Sequence, residues 1–302
     1  MAENPRHVPV LLEVAVRNLN VREDGTYVDA TLGFAGHASA IGRLLGPTGR
    51  LIGFDRDPIA MEFATAKLNA LRDELGDAMP RMELHDVEFS QAAERLAEGS
   101  IDGILADVGV SSMQLVEAHR GFSFQADGNL DMRMNPRQGV TAEQVVNQFG
   151  EKELADLIYE FGEERRSRRI ARAIVRARPI TTTAELARVV SGCAPPMKRE
   201  RGKHVIHPAT RTFQALRIYV NGELDELKAL LEAAPKLLKP GGRLVVISFH
   251  SLEDRLVKDA FREGAQAGIY EVLTRKPLTA EQEEMDRNPR SRSAKLRAAE
   301  RK

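Results

Sequence analysis

The first hundred residues alternate short apolar segments of strand length with helix-forming segments, and this alternation limits the fold more than any other feature. The four predicted strands are residues 26–31, 50–55, 81–85 and 101–108, of which the third has only a weak apolar pattern. Asp57 and Pro58 predict a helix start after the second segment, because Asp is a good N-cap and Pro suits the first helical position. Strands separated by helices predict a parallel sheet with helices on both faces, so we expect a doubly wound α/β domain.

The alternation then stops for about a hundred residues. Helical patterns cover residues 141–149, 152–159, 163–177 and 182–191. A strand pattern returns at residues 243–250, directly after the turn at 239–242. We therefore predict an all-helical domain inserted into the α/β domain. The expected boundaries place residues 1–112 and 207–302 in the α/β domain, residues 113–206 in the insert, and a basic tail at the C-terminal end.

Composition excludes several classes of protein. The single cysteine, Cys193, rules out a disulfide framework and a cysteine-based zinc site. No group of His, Cys and Asp has the spacing of a metal site, so we predict no metal. The N-terminal residues lack the apolar core of a secretory signal, and no apolar run approaches the roughly 20 residues of a membrane helix. We expect a soluble, cytoplasmic protein.

The charges balance, with 44 basic and 44 acidic residues, but they are unevenly distributed. Basic residues are concentrated in three segments, 163–178, 198–217 and 287–302. In the first segment, four arginines are spaced to line one face of a helix: Arg165, Arg169, Arg172 and Arg176. Such a row suits a nucleic-acid backbone, since each guanidinium makes two bonds to a phosphate. A simple solvated helix face is an equal alternative.

Polar residues follow the first two predicted strands. Gly33 and Gly36 lie in the turn after the first, where glycine lets a backbone approach a ligand. Asp55 ends the second strand, 22 residues beyond Gly33, and a carboxylate there can accept hydrogen bonds from both hydroxyls of a ribose. The pair predicts a nucleoside ligand. NAD and S-adenosylmethionine both contain adenosine, so this pattern does not choose between them.

Two further groups fall at strand ends. Asp107 ends the fourth predicted strand, and Ser111, Ser112 and Gln114 follow it. His250 ends the strand that begins at residue 243. Because the carboxyl ends of parallel strands share one edge of the sheet, we expect Asp107 and His250 to line the same pocket as Asp55.

The sequence resembles the bacterial RsmH (MraW) family nearly from end to end. The blocks that carry the resemblance are residues 7–12, 29–33, 54–58, 107–112, 120–124, 130–134, 162–165, 170–174, 207–217, 248–255 and 288–293. The block from His207 to Arg217, His-Pro-Ala-Thr-Arg-Thr-Phe-Gln-Ala-Leu-Arg, is especially distinctive. Blocks of this length in this order are far more specific than any spacing of glycines.

The resemblance implies a class I methyltransferase domain with a helical insert. It implies methylation of the exocyclic N4 of a decoding-centre cytosine in small-subunit ribosomal RNA, with S-adenosylmethionine as cofactor. The residues implied to hold the cofactor are Ala35, Gly36, His37, Asp55, Phe89, Asp107 and Gln114, beside Gly33 of the turn. The family usually has Gly at position 35 and Ser or Thr at position 38, where this chain has alanines. A contact through the backbone tolerates Ala35 if its φ is negative.

Methyl transfer to a cytosine amino group needs an acceptor for one N4–H, and Asp107 is the candidate. The target base must leave its stack, and Phe122, Phe124 or Phe249 could stack on it. Candidate RNA contacts are Arg165, Arg169, Arg172, Arg176, Arg211 and His250. The alternatives are methylation of another RNA base or of a protein, a nicotinamide-dependent oxidoreductase, and a non-catalytic RNA-binding protein.

Overall fold

A computed structural model describes residues 9–195 and 207–302, which form two compact units. The first unit, here the sheet unit, holds the described residues up to Gly109 and those from Leu224 onward. The second, the helical unit, runs from Val110 to Glu223. An inserted helical unit is therefore present, but its limits differ from the predicted 113–206.

The sheet unit contains one seven-stranded sheet. The strands are β1 (Thr26–Asp29), β2 (Arg50–Phe54), β3 (Arg81–His85), β4 (Ile101–Asp107), β5 (Leu238–Ser248), β6 (Tyr270–Val272) and β7 (Lys295–Arg301). Their order is β3-β2-β1-β4-β5-β7-β6. The pairs among β1 to β5 are parallel, whereas β7 runs antiparallel between β5 and β6. The predicted doubly wound fold is confirmed, with an antiparallel edge that the sequence pattern did not predict.

The described residues also form thirteen α-helices. They are α1 (Leu12–Leu19), α2 (Gly36–Gly42), α3 (Pro58–Leu75), α4 (Ala92–Arg95), α5 (Ser112–Val116), α6 (Ala142–Gln148), α7 (Glu151–Gly162), α8 (Ser167–Ala177), α9 (Thr183–Ser191), α10 (Thr210–Asn221), α11 (Glu223–Leu237), α12 (Ser251–Gln266) and α13 (Gln282–Arg287). Within the described ranges, none is both long and apolar enough to cross a membrane.

Alternate residues of the central strands supply the two cores of the sheet unit. In β4, Ile104 and Ala106 join the core that contains α11 and α12, whereas Leu105 joins the core on the other face. The second core contains residues of α1, α2 and α3, including Ile41 and Leu68. Helices therefore cover both faces, which explains why Ile104, Leu105 and Ala106 of β4 form a continuous apolar run rather than alternating with polar residues.

The strand order reverses between β1 and β4, which lie side by side at the middle of the sheet. Ligands in sheets of this kind bind beyond the carboxyl ends of the strands at the reversal point. We therefore expect a ligand site at the ends of β1 and β4, where Asp29 and Asp107 lie.

The helical unit has its own apolar core, built from all of α6 to α10. Each helix contributes apolar side chains, such as Val145, Ile158, Ile174, Leu186 and Leu216. The predicted helix start sites are caps: the Thr141 and Thr182 hydroxyls accept hydrogen bonds from backbone N–H groups three residues later. The predicted helices over 141–149 and 182–191 are thus present, each one or two residues shorter.

The helical unit continues past the predicted boundary at residue 206, and this corrects the expected assignment of 207–223 to the sheet unit. Phe213, Ala215 and Leu216 of α10 are buried in the helical core. A Cβ at Gly162 of α7 would lie 2.6 Å from the Arg211 carbonyl oxygen, so α7 and α10 pack with their backbones close together. Apolar packing therefore places α10 with the insert.

The arginine-rich helix is shorter than predicted. Glu163 adopts a left-handed conformation with φ of 48°, which ends α7, and α8 begins only at Ser167. Arg169, Arg172 and Arg176 lie on α8 and are exposed, and Ile170 and Ile174 are buried as predicted. Arg165 is exposed but precedes the helix, so the row on the helix has three arginines rather than four.

The expected basic tail is wrong, because residues 295–301 form the interior strand β7. Leu296, Ala298 and Ala299 are buried in the sheet unit. The basic side chains of the strand are paired: Arg297 Nε and Lys295 Nζ donate to Asp254, at 2.7 and 3.2 Å. Strand pairing and these ion pairs explain why the positive charges do not make the segment a mobile arm.

Candidate functional site

Three aspartates end or follow neighbouring strands at one edge of the sheet. Asp29 ends β1, Asp55 follows β2, and Asp107 ends β4. Burial raises the pKa of Asp29 and of Asp55 to about 6, and that of Asp107 to about 7. The negative charges of Asp107 and Asp55 also raise the pKa of Asp29. This edge therefore concentrates carboxyl groups in a desolvated place, which is typical of a functional site.

Asp55 is held by the glycine turn with which the sequence paired it. The Gly33 N–H donates to Asp55 Oδ2 at 2.7 Å, and the Asp57 N–H donates to Oδ1 at 2.8 Å. Gly33 has φ of +50°, a conformation that glycine adopts without steric cost. One backbone bond to each oxygen fixes the carboxylate and leaves further acceptor capacity on both oxygens.

The rest of the turn departs from expectation. A Cβ at Gly36 would lie 2.3 Å from Pro9 Cγ. The close neighbour that requires a glycine here is therefore Pro9 of the same chain. Ala35 is fully buried with φ of 52°, in the left-handed region, so the negative φ that would accommodate an alanine is not found. The Ala35 N–H donates to the Leu32 carbonyl at 2.7 Å, and the Gly36 and His37 N–H groups begin α2.

The His37 side chain is buried and packed towards Asp107. Its Nε2 lies 3.1 Å from the Val10 carbonyl oxygen, and its Nδ1 lies 3.8 Å from Asp107 Oδ2. Burial lowers the pKa of His37, so the ring is neutral near pH 7. His37 thus lies between the glycine turn and the end of β4. Because Nε2 faces a carbonyl oxygen and the ring is neutral, Nε2 carries the proton and Nδ1 has none to donate to Asp107.

Asp107 has an acceptor atom available. Its backbone N–H donates to Thr31 Oγ1 at 2.6 Å, which fixes the residue at the strand end. Its Oδ1 is buried and has no hydrogen-bond partner within residues 9–195 and 207–302. A buried carboxylate oxygen without a partner is costly, so this atom is suited to accept a hydrogen bond from a bound molecule.

Two other predicted cofactor residues, Phe89 and Gln114, lie on elements other than the glycine turn and the strand ends. Phe89 begins a 3-10 turn, Phe89–Gln91, four residues after β3 ends, and is half-buried against the core. Gln114 belongs to the helical unit and is buried in α5. Its Oε1 accepts from the Ser111 N–H at 2.9 Å in a capping box, so the structure gives it a local role. A cofactor contact by Gln114 stays a prediction.

His250 also has a local role. It caps α12: its Nδ1 accepts from the Glu253 N–H at 3.4 Å, and its Nε2 lies 3.0 Å from Glu253 Oε1. Glu253 is buried and its Oε2 accepts from the Phe249 N–H at 2.8 Å. The predicted substrate contact by His250 remains untested, and the capping box accounts for a histidine here.

The arginines predicted to bind RNA lie together in the helical unit. Arg211 Nη1 donates to the Glu163 carbonyl at 3.1 Å, which caps the end of α7 just before Arg165. Arg172 Nε lies 3.2 Å from Glu151 Oε1, and both side chains are exposed. Residues 198–206 of the basic segment 198–217, which hold four of its six Lys and Arg residues, lie outside the described part of the chain.

The aromatic candidates for base stacking differ in their surroundings. Phe122 is buried in the helical core, which favours a packing role. The half-buried Phe124 ring lies 4.5 Å from the His207 ring and 4.9 Å from the Phe213 ring, centroid to centroid. Phe249 follows β5 in the sheet unit and is half-buried. Of the three, Phe249 lies in the same unit and at the same sheet edge as Asp107.

Sequence reasoning missed Asp29 as a site residue. It is 1% exposed, and its pKa responds to His37, Asp107 and Asp55. Its position at the end of β1 matches that of Asp107 at the end of β4, so the rule applied to Asp107 could have found it.

The chain is similar to one protein family and to relatives of known name. A family model described as the MraW methylase family matches residues 4–302. A ribosomal RNA small subunit methyltransferase H from Acidobacterium capsulatum is 75% identical over 99% of this chain and 100% of its own length. The protein of the same name from Koribacter versatilis is 60% identical over 98% of this chain and 94% of its own length. A solved rRNA methylase from Streptococcus thermophilus shares 12% identity and a TM-score of 0.40, covering 100% of this chain and 98% of its own.

These findings decide between S-adenosylmethionine and a nicotinamide as the cofactor. The predicted class I methyltransferase fold and the predicted dependence on S-adenosylmethionine are confirmed by the sheet order and the methylase family, and the nicotinamide-dependent alternative is excluded. The family match spans both units, including the helical insert. The chain belongs to the MraW methylase family.

Proposed function

We propose that this methylase transfers the methyl group of S-adenosylmethionine to the exocyclic N4 of a decoding-centre cytosine in small-subunit ribosomal RNA. The names of the relatives support small-subunit ribosomal RNA as the substrate class. The observation that supports an amino nitrogen as the target is the buried, unpartnered Oδ1 of Asp107. An exocyclic amino group is a donor that such an acceptor can bind.

Asp107 would act on the nucleophile rather than on the methyl donor. The lone pair of a cytosine amino nitrogen is delocalised into the ring, so the nitrogen is a weak nucleophile. A carboxylate that accepts one N4–H localises electron density on nitrogen and can take up the proton released after transfer. Thr31 Oγ1 accepts a hydrogen bond from the Asp107 backbone N–H and so fixes the strand end that carries the carboxylate.

The pKa of Asp107 suits this role. Burial raises it to about 7, while the positive charge of Arg290 acts to lower it. A base with a pKa near the working pH is partly ionised before the reaction and can still hold a proton afterwards. Only the ionised form can take up the proton that the amino group releases, so we expect activity to increase as pH rises through about 7.

The residues present fit the cofactor. The Asp55 carboxylate, fixed by Gly33 and Asp57, has acceptor capacity for two ribose hydroxyls. The N–H groups of Gly36 and His37 are at the start of α2, where a helix leaves N–H groups without an intrahelical acceptor. When bound, S-adenosylmethionine supplies a methyl group already activated by a sulfonium. The remaining task of the protein is to orient the nucleophile and exclude water.

The helical unit supplies a surface for the RNA backbone. Arg169, Arg172 and Arg176 are exposed on α8, and exposed Arg165 lies just before it. A row of guanidinium groups on one rigid helix can bind successive phosphates. Arg211 belongs to the same unit, although its capping bond to Glu163 gives it a structural task as well.

Mapping the modified nucleoside tests the proposal. Purified protein, labelled cofactor and unmodified small subunits or their RNA are incubated, and the product is digested and analysed by mass spectrometry. We expect N4-methylcytidine at one position. Methyl on another base would support the alternative RNA methylase, and methyl on protein would reject an RNA target. Binding of RNA without transfer would indicate a non-catalytic RNA-binding protein. Asp107→Asn is the matched negative control.

A further inference from the structure

The turn before β7 lies at the same sheet edge as Asp107. β7 is antiparallel to β5, and its first residue, Lys295, pairs with Ser248, the last residue of β5. The 3-10 turn Pro289–Ser293, which precedes β7, therefore extends beyond the carboxyl end of β5. The turn lies within residues 288–293, one of the blocks that carry the family resemblance, but the proposed function gives it no task.

Phe249 connects this turn to the end of β4. Asp107 pairs with Ile247 in the sheet, so Gly109 and Phe249 each lie two residues beyond a paired position. A Cβ at Gly109, where φ is +111°, would lie 3.4 Å from Phe249 Cδ2. The Phe249 ring thus packs beside the backbone that immediately follows Asp107.

Arg290 lies over this ring. Its Cζ is 5.9 Å from the centroid of Phe249, within the range of a cation–π contact. The turn that carries it is fixed locally, since the Arg290 N–H donates to Asn288 Oδ1 at 3.3 Å and the buried Ser291 donates through its Oγ to the Asn288 carbonyl at 2.8 Å. The positive charge of Arg290 also acts on the carboxyl group of Asp107.

Three groups lie together here: a half-buried arginine, an aromatic ring and a buried carboxylate acceptor. Each of them can bind a different part of one nucleotide. The ring can stack on a base, the guanidinium can bind the phosphate, and the carboxylate can accept from the base amino group. On the basis of the proposed function, we propose that Arg290, stacked on Phe249, positions the target nucleotide by binding its phosphate while the base reaches Asp107.

The same turn offers a matched control. Arg292 lies two residues from Arg290 and is exposed, and its replacement removes the same charge from the same segment. Three variants are compared with the wild type: Arg290→Gln, Arg292→Gln and Arg290→Lys. Steady-state constants for unmodified small-subunit RNA are measured at several salt concentrations, and cofactor affinity is measured by calorimetry.

We expect Arg290→Gln to raise KM for RNA about tenfold or more and to reduce the salt slope of KM by about one phosphate contact. Arg290→Lys should recover part of the loss, because it keeps the charge but not the planar fork. Arg292→Gln should change KM less than about threefold, and all three should bind S-adenosylmethionine as the wild type does. In Arg290→Gln, activity should begin to rise at a higher pH than in the wild type, because the positive charge that lowers the pKa of Asp107 is gone.

Equal KM and salt slope for Arg290→Gln and Arg292→Gln would overturn the inference. A loss of cofactor affinity with unchanged KM for RNA would also overturn it, because the guanidinium would then bind the cofactor carboxylate. If the wild type itself forms no N4-methylcytidine, the proposed function fails. If the wild type forms it and the two glutamine variants behave alike, only the role of Arg290 fails.

Discussion

The Gly33 N–H donates a 2.7 Å hydrogen bond to Asp55 Oδ2, which joins the turn after β1 to the end of β2. β1 and β2 are neighbouring parallel strands, so the residues that follow their ends lie side by side. Gly33 and Asp55 are therefore in contact although 22 residues separate them in the sequence. The sequence could identify both residues, but the direct bond between them requires the register of the sheet.

Asp55→Ala should abolish measurable cofactor binding, because it removes the ribose acceptor and leaves the Gly33 and Asp57 N–H groups without their side-chain acceptor. Calorimetry with S-adenosylmethionine measures this directly. Asp73→Ala, which removes an exposed carboxylate from α3, is the control and should bind as the wild type does. Unchanged affinity in Asp55→Ala would remove Asp55 from the site.

Gly36→Ala should destabilise the fold by about 1–3 kcal/mol, the usual cost of overpacking. The added Cβ would lie 2.3 Å from Pro9 Cγ, so the segment before α1 has to move. Thermal or urea unfolding measures the loss. Gly192→Ala is the control, since an added Cβ there meets neighbours at 3.5 Å or more and the residue is exposed. Equal stability of the two variants would mean that Pro9 does not pack on Gly36.

Asp254→Ala should cost about 3 kcal/mol or more of unfolding free energy, because the buried Arg297 loses its partner. Asp259→Ala in the same helix breaks an exposed pair with Arg262 and should cost less than about 1 kcal/mol. Urea unfolding compares the two. If residues 295–301 were a free basic tail rather than a paired strand, Asp254→Ala would instead leave stability unchanged.

Replacing Arg169, Arg172 and Arg176 together with Gln should weaken RNA binding and reduce the salt slope by up to about three phosphate contacts. The control replaces Arg17, Arg72 and Arg262, which are exposed on the sheet unit, and so removes the same charge. Filter binding over a range of salt concentrations distinguishes the variants. A stability loss without a change in RNA affinity would assign the row a structural role.

Local signals in the sequence predicted much of the fold. The cap at Asp57 and Pro58 starts α3 as expected, with the Asp57 Oδ1 accepting from the Ile59 N–H at 3.0 Å. The segment 81–85 forms β3 with the predicted limits. These features depend on residues close together in the chain, so a single sequence contains them.

Features that depend on distant partners could not be predicted in this way. β7 contains four charged residues among its seven, and its strand conformation requires pairing with β5 and the bonds to Asp254. α10 belongs to the helical unit because Phe213 and Leu216 pack into a core built by other helices. The left-handed Glu163 interrupts a pattern that otherwise favours one continuous helix.

In the candidate site, too, some features could be predicted from the sequence and others depend on packing. Asp55 and Asp107 were identifiable from their positions at strand ends, whereas the buried state of Asp107 Oδ1 and the contact of His37 with it follow from packing. The roles of Gln114 and His250 as caps depend on bonds within three residues. A Gln or His near a helix start can form a capping box or bind a ligand, and only the positions of the atoms distinguish the two roles.

The pH dependence of single-turnover methyl transfer, in wild type and in Asp107→Asn, tests most directly whether Asp107 accepts the amino proton. With saturating cofactor and RNA, the wild-type rate should rise as pH increases through about 7 and then level off, since the pKa of Asp107 is raised by burial and only its ionised form is active. Asp107→Asn should be about 10- to 100-fold slower, the cost of losing a charged acceptor, and independent of pH in this range. A variant as fast as the wild type, or one with the same pH dependence, would contradict the account.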